Sequence, residues 1–316
     1  MYRFQSLLGL VGLTILLPST AMPISITSCN PTFVASVAGA TYTVTTNLAP
    51  AAGANCIEVT ARNVTIDLNG HSLTGDYSGL GTGVYVFSDG ANVTSSVAGG
   101  TIKGFGTGVN VDNGHHGHPA LHSVTITHIN SIDNIGAGIH LYFVDSSPIA
   151  PVAYRCLIQT NEITANGRFG VYLENTNGCA VLSNTISGNG NGPPVGIGVW
   201  LQSSSRNKVG QNIADGASIQ FIGIWAGHDN YYTNENCYTH DPSVHNSIFS
   251  NTANYNLDVG IGLERCSALG NTVTLNTATG SGTYDLFDGN PVCDGNSWMG
   301  DTFVTANQSV NPMCIH

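Results

Sequence analysis

The chain has 316 residues, including 39 glycines and 32 asparagines, and only 9% of its residues are charged, against roughly 25% in an ordinary soluble domain. This shortage of charge argues against a helical bundle, whose exposed faces are normally filled with Lys and Glu, and the 41% of hydrophobic residues argue against disorder. A formal net charge of −11 argues against a nucleic-acid partner, because neutralising phosphates requires clustered cations.

The first 21 residues have the pattern of a secretory signal peptide. Arg3 precedes an apolar run from Leu7 to Leu17, and a small-residue cleavage site ends at Ala21. The run is shorter than the roughly 20 apolar residues that a membrane span requires, and no later stretch is long enough. We therefore expect a secreted protein, extracellular or periplasmic, with no membrane span and with residues 22–55 as an N-terminal cap segment.

A tetrapeptide of glycine, an aliphatic residue, a variable residue and a second aliphatic residue recurs along the chain. Its glycines follow one another at intervals of 25 to 37 residues and are Gly83, Gly108, Gly138, Gly170, Gly198, Gly223 and Gly260. A second motif, Asn-x-aliphatic, interleaves with the first and begins at Asn161, Asn184, Asn207, Asn246 and Asn271. Each repeat therefore contains at least two short strands with period-two alternation, separated by Gly and Asn turns.

Strands that recur in this way predict a parallel β-helix. One coil of strands cannot bury its inward face alone, but stacked coils share a continuous apolar core. A β-propeller is the alternative, but its blades repeat every 40–45 residues or so, and the shorter spacing favours coils of about 25 residues. The asparagine at a fixed place in each coil is expected to adopt the left-handed backbone conformation and to hydrogen-bond to its neighbours in the stack.

The two repeats, together with Val64-Thr-Ile-Asp-Leu-Asn-Gly-His-Ser-Leu near the start and Asn296-Ser-Trp-Met-Gly-Asp-Thr-Phe at the close, resemble the right-handed parallel β-helix repeat proteins of the pectin-lyase-like superfamily. The resemblance implies an all-β fold, a single-stranded right-handed parallel β-helix (a solenoid), over residues 56–316 with a C-terminal cap. It implies no single activity, because the superfamily includes lyases, hydrolases, epimerases, esterases and non-enzymes. The sequence motifs of polygalacturonases, pectate lyases and pectinesterases are absent, so no catalytic residue follows from the resemblance.

Eight cysteines in an exported chain that has no CxxC pair favour disulfides over metal ligation. Cys156 and Cys179 each precede a motif asparagine by five residues, so they should stack in successive coils about 4.8 Å apart, which a disulfide accepts. We predict a Cys156–Cys179 bridge, with buried stacked thiols as the alternative. Three further expected pairs, which would close the two ends and one long loop, are Cys29–Cys56, Cys237–Cys266 and Cys293–Cys314.

Because the aliphatic residues of the glycine tetrapeptide must point inward, its variable residue points outward. The first outward column contains Tyr85, Asn110, His140, Tyr172, Trp200, Trp225 and Gly262, and a second column two residues further on contains Phe87, Asp112, Tyr142, Glu174, Gln202, Gly227 and Glu264. We predict exposed rings that stack on sugars beside polar groups that bind hydroxyls. The predicted substrate-binding residues are His140, Tyr142, Tyr172, Trp200, Gln202 and Trp225. The alternative is that the rings only suit a β surface or lie beneath loops as a satellite core.

Three longer repeats add loops along one edge of this sheet, at residues 112–122, 142–155 and 227–245. The first loop contains a candidate metal site, formed by His115, His116, His118 and His122. The alternative is that these histidines simply belong to a solvated loop. Bound Ca²⁺ is a second candidate cofactor, and its candidate ligands are Asp112, Asp145, Asp229 and Glu174.

Two carboxylates across a sugar ring can serve as general acid and base. Glu174 and Glu264 lie three coils apart, about 14 Å at ~4.8 Å per coil, which is too far for such a pair. The candidate catalytic residues are Glu174 with a loop carboxylate, and Asp229 with His228, Glu264 and Arg265. Few cations are available to neutralise a uronate, so a neutral glycan is at least as good a candidate as an acidic one.

The sequence leaves two functions open. The first is a monomeric secreted enzyme, a lyase, glycoside hydrolase or epimerase, that acts on a polysaccharide or oligosaccharide along the aromatic face. The second is a non-catalytic glycan-binding, adhesin-like or metal-accessory surface protein. The enzyme requires acid and base groups beside Trp200 and Trp225, whereas binding requires only the rings. Analogy with the fold favours the enzyme.

Overall fold

The computed structural model describes residues 22–97, 99–112, 123–144, 156–190, 196–228, 242–265, 267–290, 293–307 and 314–315. Within these ranges the regular secondary structure consists of β-strands, apart from a short 3₁₀ segment at Cys293–Gly295. The all-β prediction is confirmed. The proposed signal peptide, residues 1–21, lies outside the described residues.

Two long parallel sheets extend through the described part of the chain. One has ten strands, in the order Phe33–Ala35, Ile57–Val59, Thr82–Val86, Thr107–Asp112, Ala137–Tyr142, Phe169–Glu174, Ile197–Gln202, Ile222–Ala226, Val259–Leu263 and Tyr284–Asp288. The other has eleven, in the order Ile24–Ile26, Thr41–Val44, Thr65–Asp67, Ala91–Thr94, Val124–Thr127, Cys156–Gln159, Cys179–Leu182, Lys208–Gly210, Ser247–Phe249, Thr272–Thr274 and Ser297–Met299.

A third sheet of five strands closes the coils, in the spatial order Thr185–Ser187, Glu162–Thr164, Asn130–Ile132, Thr101–Lys103 and Ser72–Thr74. Isolated parallel bridges continue it beyond Thr185 through Ile213 and Thr252. A two-stranded pair joins Ser243–Val244 to Ala268–Leu269.

Each strand pairs in parallel with the corresponding strand of the next coil. Tyr85 pairs with Asn110, and Trp200 pairs with Trp225, so 25 residues complete one coil at both places. Trp225 pairs with Gly262, a longer coil that corresponds to the third predicted loop. This arrangement is the predicted parallel β-helix. The segment 22–55 already supplies Phe33–Ala35 and strands of the eleven-stranded sheet, so it lies within the stack.

The apolar core fills the inside of the coils. Along each strand of the ten-stranded sheet the side chains alternate in direction. Every second side chain therefore points inward and packs on the equivalent side chain of the next coil. One such inward column has no exposed surface at all and consists of Val84, Val109, Ile139, Val171, Val199, Ile224 and Ile261. Burying each such side chain stabilises the fold by roughly 1.5–3 kcal/mol relative to leaving it exposed.

Buried asparagines form hydrogen-bonded ladders along the stack. Side-chain bonds of 2.9–3.0 Å connect consecutive members of one ladder, Asn161, Asn184, Asn212, Asn251 and Asn276. In a second ladder each backbone N–H donates to the side-chain oxygen of the next member, and its members are Asn207, Asn246, Asn271 and Asn296. The Asn-x-aliphatic motif therefore combines two columns, because its first two asparagines and its later ones occupy different turns.

The predicted hydrogen bonds of these asparagines are confirmed, but their predicted left-handed backbone is wrong. In the first ladder none of the five asparagines has a positive φ. The left-handed residue is the one that precedes each of them, with φ between 53° and 58°, at Thr160, Ser183, Gln211, Ser250 and Leu275. The preceding residue makes the bend, and the asparagine is thereby left to bond with the coils on either side.

Disulfides join stacked coils at two of the predicted pairs and the C-terminal segment at a third. Cys156 and Cys179 are paired in register with a Cα–Cα separation of 4.6 Å, which confirms that bridge. The expected bridges Cys29–Cys56 and Cys293–Cys314 are also present. Cys237 and Cys266 lie outside the described residues. Over the part of the chain that is described, no helix is long and apolar enough to cross a membrane.

Candidate functional site

The ten-stranded sheet presents the two outward columns that the repeat predicts. In the first column, Asn110 pairs with His140, His140 with Tyr172, and Tyr172 with Trp200. In the second column, Asp112 pairs with Tyr142, Tyr142 with Glu174, and Glu174 with Gln202. The sequence therefore placed these side chains on the correct face and in the correct order.

The two tryptophans of this face are buried, which contradicts the expectation that they are exposed. Trp200 is 8% exposed and Trp225 is 2% exposed. They belong to a second hydrophobic cluster, on the outer side of the coils, that also contains Ala137, Phe169, Ile197, Ile222 and Val259. The part of the sheet around Trp200 and Trp225 is therefore a satellite core, which was the alternative to exposed sugar-binding rings.

Neighbouring side chains explain the burial of each ring. A Cβ at position 262 would lie 2.2 Å from the Cζ3 atom of Trp225, so glycine there allows the indole to lie flat over the next strand. Phe287 stacks on the same indole with a centroid distance of 5.9 Å. Trp200 stacks on Tyr172, and its indole N–H donates to the carbonyl oxygen of Gly227 at 3.3 Å.

The accessible part of the sheet lies on the earlier coils, around a His–Glu pair. The Nε2 atom of His140 lies 3.0 Å from the Oε2 atom of Glu174. The two side chains are 21% and 25% exposed, so a ligand can contact both. The imidazole also stacks on the Tyr172 ring, with centroids 4.5 Å apart and 6° between the planes.

A continuous row of stacked rings, which begins with His140 itself, holds this pair in position. His140, Tyr172 and Trp200 stack in turn across three coils, the second contact having a centroid distance of 4.8 Å and an angle of 16°. The Tyr172 hydroxyl donates to the Oε1 atom of Gln202. Because Trp200 is fixed within the outer cluster, the row holds the imidazole at a defined position on the sheet.

A second carboxylate, Asp112, lies on the same face. Its Oδ2 atom accepts a hydrogen bond of 2.8 Å from the Tyr85 hydroxyl. Asp112 pairs with Tyr142 and Tyr142 with Glu174, so two coil steps, roughly 10 Å at ~4.8 Å per step, separate the backbones that bear the two carboxylates. Asp112 and Glu174 are thus on either side of Tyr142.

The electrostatic environment of this face is negative. Burial raises the pKa of the Tyr85 phenol well above its usual value, and the hydrogen bond to Asp112 together with the charges of Asp112 and Glu58 raises it further. Burial also raises the pKa of Tyr142, and the charges of Glu174 and Asp112 add to the effect. Both phenols are therefore protonated near neutral pH and can donate hydrogen bonds.

The other candidate catalytic residues lie elsewhere on the sheet. Glu264 is 8% exposed and accepts a 2.8 Å hydrogen bond from the Ser267 hydroxyl, whose oxygen also accepts a 3.2 Å bond from the backbone N–H of His228. Arg265 is exposed. Three coil steps separate this group from Glu174, as the sequence predicted. Asp229 lies outside the described residues.

The candidate metal sites receive no support from the described residues. The four histidines of the first loop lie outside them, as do Asp145 and Asp229 among the candidate Ca²⁺ ligands. Asp112 and Glu174, the two described candidates, are hydrogen-bonded to Tyr85 and His140. Within the described ranges no group of three or more His, Cys, Asp or Glu side chains is arranged to hold a metal ion.

The sequence predicted a loop carboxylate as the partner of Glu174 but did not single out Asp112, the first residue of the first loop. Both residues were placed in the second outward column, and only one position, Tyr142, separates them there. The coil spacing that excluded Glu174–Glu264 as a pair would have retained Asp112–Glu174. Asn110 was also placed on this face, but no role was inferred for it.

Comparison with known proteins supports the architecture. A family model described as the right-handed β-helix region matches residues 107–297. Among solved structures, the Dettilon tailspike protein matches 88% of this chain and 54% of its own, with a TM-score of 0.56 and 14% identity. The enzymatically active domain of tailspike protein 2 of bacteriophage CBA120 matches 84% of this chain and 39% of its own, with a TM-score of 0.56 and 11% identity.

The A-module of the mannuronan C-5 epimerase AlgE6 of Azotobacter vinelandii also matches, over 84% of this chain and 83% of its own, with a TM-score of 0.48 and 12% identity. The chain thus spans about half the length of the first tailspike protein and less than half of the second. At such identities the similarity to solved structures concerns the fold alone. No curated protein sequence matches the chain.

Proposed function

Because the chain belongs to the right-handed β-helix family, we propose that it is a secreted carbohydrate-active protein that binds a polysaccharide across the outward face of its ten-stranded sheet and hydrolyses it there. Membership of the family allows many activities. The proposal therefore depends on the side chains of this face. The disulfides and the signal-like residues 1–21 support export.

The observation that carries the proposal is the His140–Glu174 pair. A histidine and a carboxylate 3.0 Å apart, with side chains 21% and 25% exposed, form a group that can move a proton at a bound substrate. Stacking on Tyr172 fixes the orientation of the imidazole, as general acid–base chemistry requires. Asp112 supplies the second carboxylate that glycoside hydrolysis needs.

The separation of the carboxylates favours inversion at the anomeric carbon. Inverting glycosidases place their two carboxyl groups about 6.5–9.5 Å apart, which leaves room for water, whereas retaining enzymes place them about 5–5.5 Å apart. The Asp112 and Glu174 backbones are separated by roughly 10 Å, about twice the separation of the carboxyl groups in a retaining enzyme. This spacing supports the inverting arrangement over the retaining one.

The hydrogen-bond partners suggest which carboxylate has which role. The Tyr85 hydroxyl donates a hydrogen bond to Asp112 and orients its carboxylate, which suits the base that removes a proton from the attacking water. Glu174 donates its proton to the glycosidic oxygen as the bond to the anomeric carbon breaks. His140 contacts Glu174 and is the group through which a proton can return to it.

Glycan binding without catalysis is the second candidate. The partly exposed His140 and Tyr172 rings, held in place by the buried Trp200, would bind a sugar chain whether or not its bonds are cleaved, and this fixed row is the observation that favours binding alone. If the protein only binds glycans, replacing Glu174 should change the affinity for a glycan, and neither the wild-type protein nor the variant should cleave it.

The test compares Glu174→Gln with Glu162→Gln. Glu162 is an exposed glutamate on the five-stranded sheet, so its replacement removes the same charge from another face. The purified wild-type protein is incubated with a panel of neutral, amino-containing and uronic polysaccharides, and new reducing ends are measured. We expect E174Q and D112N each to lower kcat by at least about 100-fold, the order of one general acid–base contribution, and E162Q to retain activity.

The stereochemistry gives a second readout. Proton NMR of the first products should show the anomer opposite to that of the cleaved linkage. Retained configuration, or full activity in E174Q, would contradict the proposed site. Binding of a glycan with no turnover in any member of the panel would establish the non-catalytic alternative.

A further inference from the structure

The first asparagine ladder does not end on an asparagine. Beyond Asn276 the next coil places Asp301 at the same position, because the residues that follow the two, Thr277 and Thr302, form a parallel bridge. The Oδ1 atom of Asp301 accepts hydrogen bonds from the backbone N–H and the Nδ2 atom of Asn276, at 2.7 and 2.8 Å. Asn276 accepts the same two bonds from Asn251. Asp301 is therefore the next member of the ladder.

In the earlier members the second side-chain atom, Nδ2, has a second acceptor besides the next member of the ladder. It donates to the backbone carbonyl oxygen that lies three residues before the preceding asparagine, at 2.9–3.0 Å. These donor–acceptor pairs are Asn184 with Ile158, Asn212 with Val181, Asn251 with Val209 and Asn276 with Ile248. The same offset assigns the carbonyl oxygen of Val273 to position 301.

Asp301 places an oxygen where the other members have a donor. A carboxyl group and a carboxamide are both planar, so two bonds to Oδ1 that match those of the other members place Oδ2 where they have Nδ2. This Oδ2 atom is buried and has no hydrogen-bond partner among the described residues. An ionised carboxylate has only acceptors and would oppose the Val273 carbonyl, whereas a protonated carboxyl donates one O–H and supplies the bond that the ladder requires.

The surroundings of this carboxyl group favour its neutral form. Burial raises the pKa of Asp301, and hydrogen bonds from Asn276 and from the backbone of Met299 offset only part of this effect. Asn276 belongs to the preceding coil and Met299 to the strand before Asp301, and neither side chain titrates. No charged side chain of the described residues contributes to the shift. The protonation of Asp301 therefore depends on burial and hydrogen bonding and not on a neighbouring charge.

We propose that Asp301 is a pH-sensitive switch for the last coil: when protonated it donates from Oδ2 to the Val273 carbonyl and continues the ladder, and when ionised it leaves two buried acceptors opposed. The strand beside it, Ser297–Met299, is the last of the eleven-stranded sheet and pairs with Thr272–Thr274 alone. A terminal coil of a stack can open without unfolding the others. This inference concerns the stability of that coil and does not depend on the proposed hydrolase.

The direction of the pH dependence follows from the raised pKa. Below 3.8, the ordinary pKa of an aspartate, the carboxyl group is protonated whether the coil is closed or open, so its bond contributes fully. As the pH rises above that value, the open coil loses the proton first. Closing is then weakened about tenfold for each pH unit until the raised pKa is reached. The last coil should therefore be held most tightly in acid.

Hydrogen exchange measures the opening of this coil against a reference within the same molecule. The backbone N–H of Thr302 donates to the carbonyl oxygen of Asn276, and that of Thr252, two coils earlier, donates to Asn212, so the two amides are equivalent. Their protection factors are measured by NMR from about pH 4 to about pH 8 and corrected for intrinsic exchange. We expect the protection of Thr302 relative to Thr252 to fall at least about tenfold over this range. An unchanged ratio would overturn the proposal.

The variant Asp301→Asn supplies the ladder with an amide donor at every pH. We expect its ratio of protection to stay within about twofold over the same range, and Thr302 to be at least about tenfold better protected than in the wild type at the upper end. The matched control is Asp133→Asn, at an exposed aspartate that precedes a buried asparagine of an earlier coil, and it should keep the wild-type profile. Weaker protection of Thr302 in D301N than in the wild type at high pH would exclude the switch.

Infrared spectroscopy detects the proton itself. At about pH 5 an ordinary aspartate is mostly ionised, so a difference spectrum of the wild type and D301N should contain the band of one protonated carboxyl group that is absent from the variant. Burial also raises the pKa of Asp288, but this residue is present in both proteins and cancels in the difference. A difference spectrum with only the bands of an ionised carboxylate would contradict the proposed donor.

Discussion

Replacing Trp225 with alanine should destabilise the protein strongly, because the indole is part of a packed cluster and not of an open groove. The side chain is 2% exposed, lies over Gly262 and stacks on Phe287. An exposed sugar-binding tryptophan would tolerate the same substitution with little effect on stability. A packed cluster and an open sugar-binding groove therefore predict different stabilities for the same Trp225→Ala variant.

The magnitude follows from the area that the indole buries. A large aromatic side chain buries roughly 150–250 Å², which at about 25 cal/mol per Å² corresponds to about 4–6 kcal/mol. Truncations of buried aromatic side chains usually cost about 3–5 kcal/mol, because the cavity closes only in part. We therefore expect Trp225→Ala to lower the free energy of unfolding by about 3–5 kcal/mol.

Urea unfolding followed by far-UV circular dichroism measures this change without depending on tryptophan fluorescence. The matched control is Tyr255→Ala, which truncates an aromatic side chain that is 66% exposed, and which should cost less than about 1 kcal/mol. A loss below about 1 kcal/mol for Trp225→Ala would refute the reasoning, since the ring would then contribute no more than an exposed one.

Three further predictions concern the ladders, the cross-link and the acidic face. Asn184→Ala should lower the free energy of unfolding by about 3–6 kcal/mol, because several buried donors and acceptors lose their partner; a loss under about 1 kcal/mol in urea unfolding would contradict this. Removing the 23-residue link with Cys156→Ala and Cys179→Ala should cost about 3 kcal/mol, and an unchanged midpoint of unfolding would contradict that value. Since the raised pKa of Tyr85 favours the folded state below about pH 10, stability should fall as the pH rises above about 10. Asp112→Asn should lower the pKa of Tyr85 in an ultraviolet titration, because the charge at 112 is removed, and an unshifted transition would contradict the contribution of Asp112 to that pKa.

The sequence predicted the columns of this fold well because they depend on local period alone. Inward aliphatics alternate with outward residues at every tetrapeptide, so the repeat is enough to place Tyr172 and Trp200 side by side. The Cys156–Cys179 bridge was predictable for the same reason, since a shared offset from the motif asparagine fixes a shared position in the coil.

Exposure was not predictable, because it depends on what lies beyond the strand. The column gives Trp225 and Tyr172 the same outward direction, yet one is almost fully buried and the other partly accessible. The difference arises from neighbours one coil away, a glycine at 262 beside the first and a stacked histidine at 140 beside the second. The register determines which residues are neighbours, and the side-chain packing determines how much of each ring they cover.

The buried half of the sheet has a direct consequence for the accessible half. Trp200 cannot move without opening the outer cluster, so Tyr172, which stacks on it, is held in place, and the His140 ring is held in turn. A catalytic pair on a β-helix needs such support, because the outward side chains of a single sheet have no opposite wall to fix their rotamers. The cluster that replaces the expected groove is thus what gives Glu174 a partner at a constant distance. This coupling explains how one continuous sheet can contain both an apolar outer cluster and an acidic, accessible site.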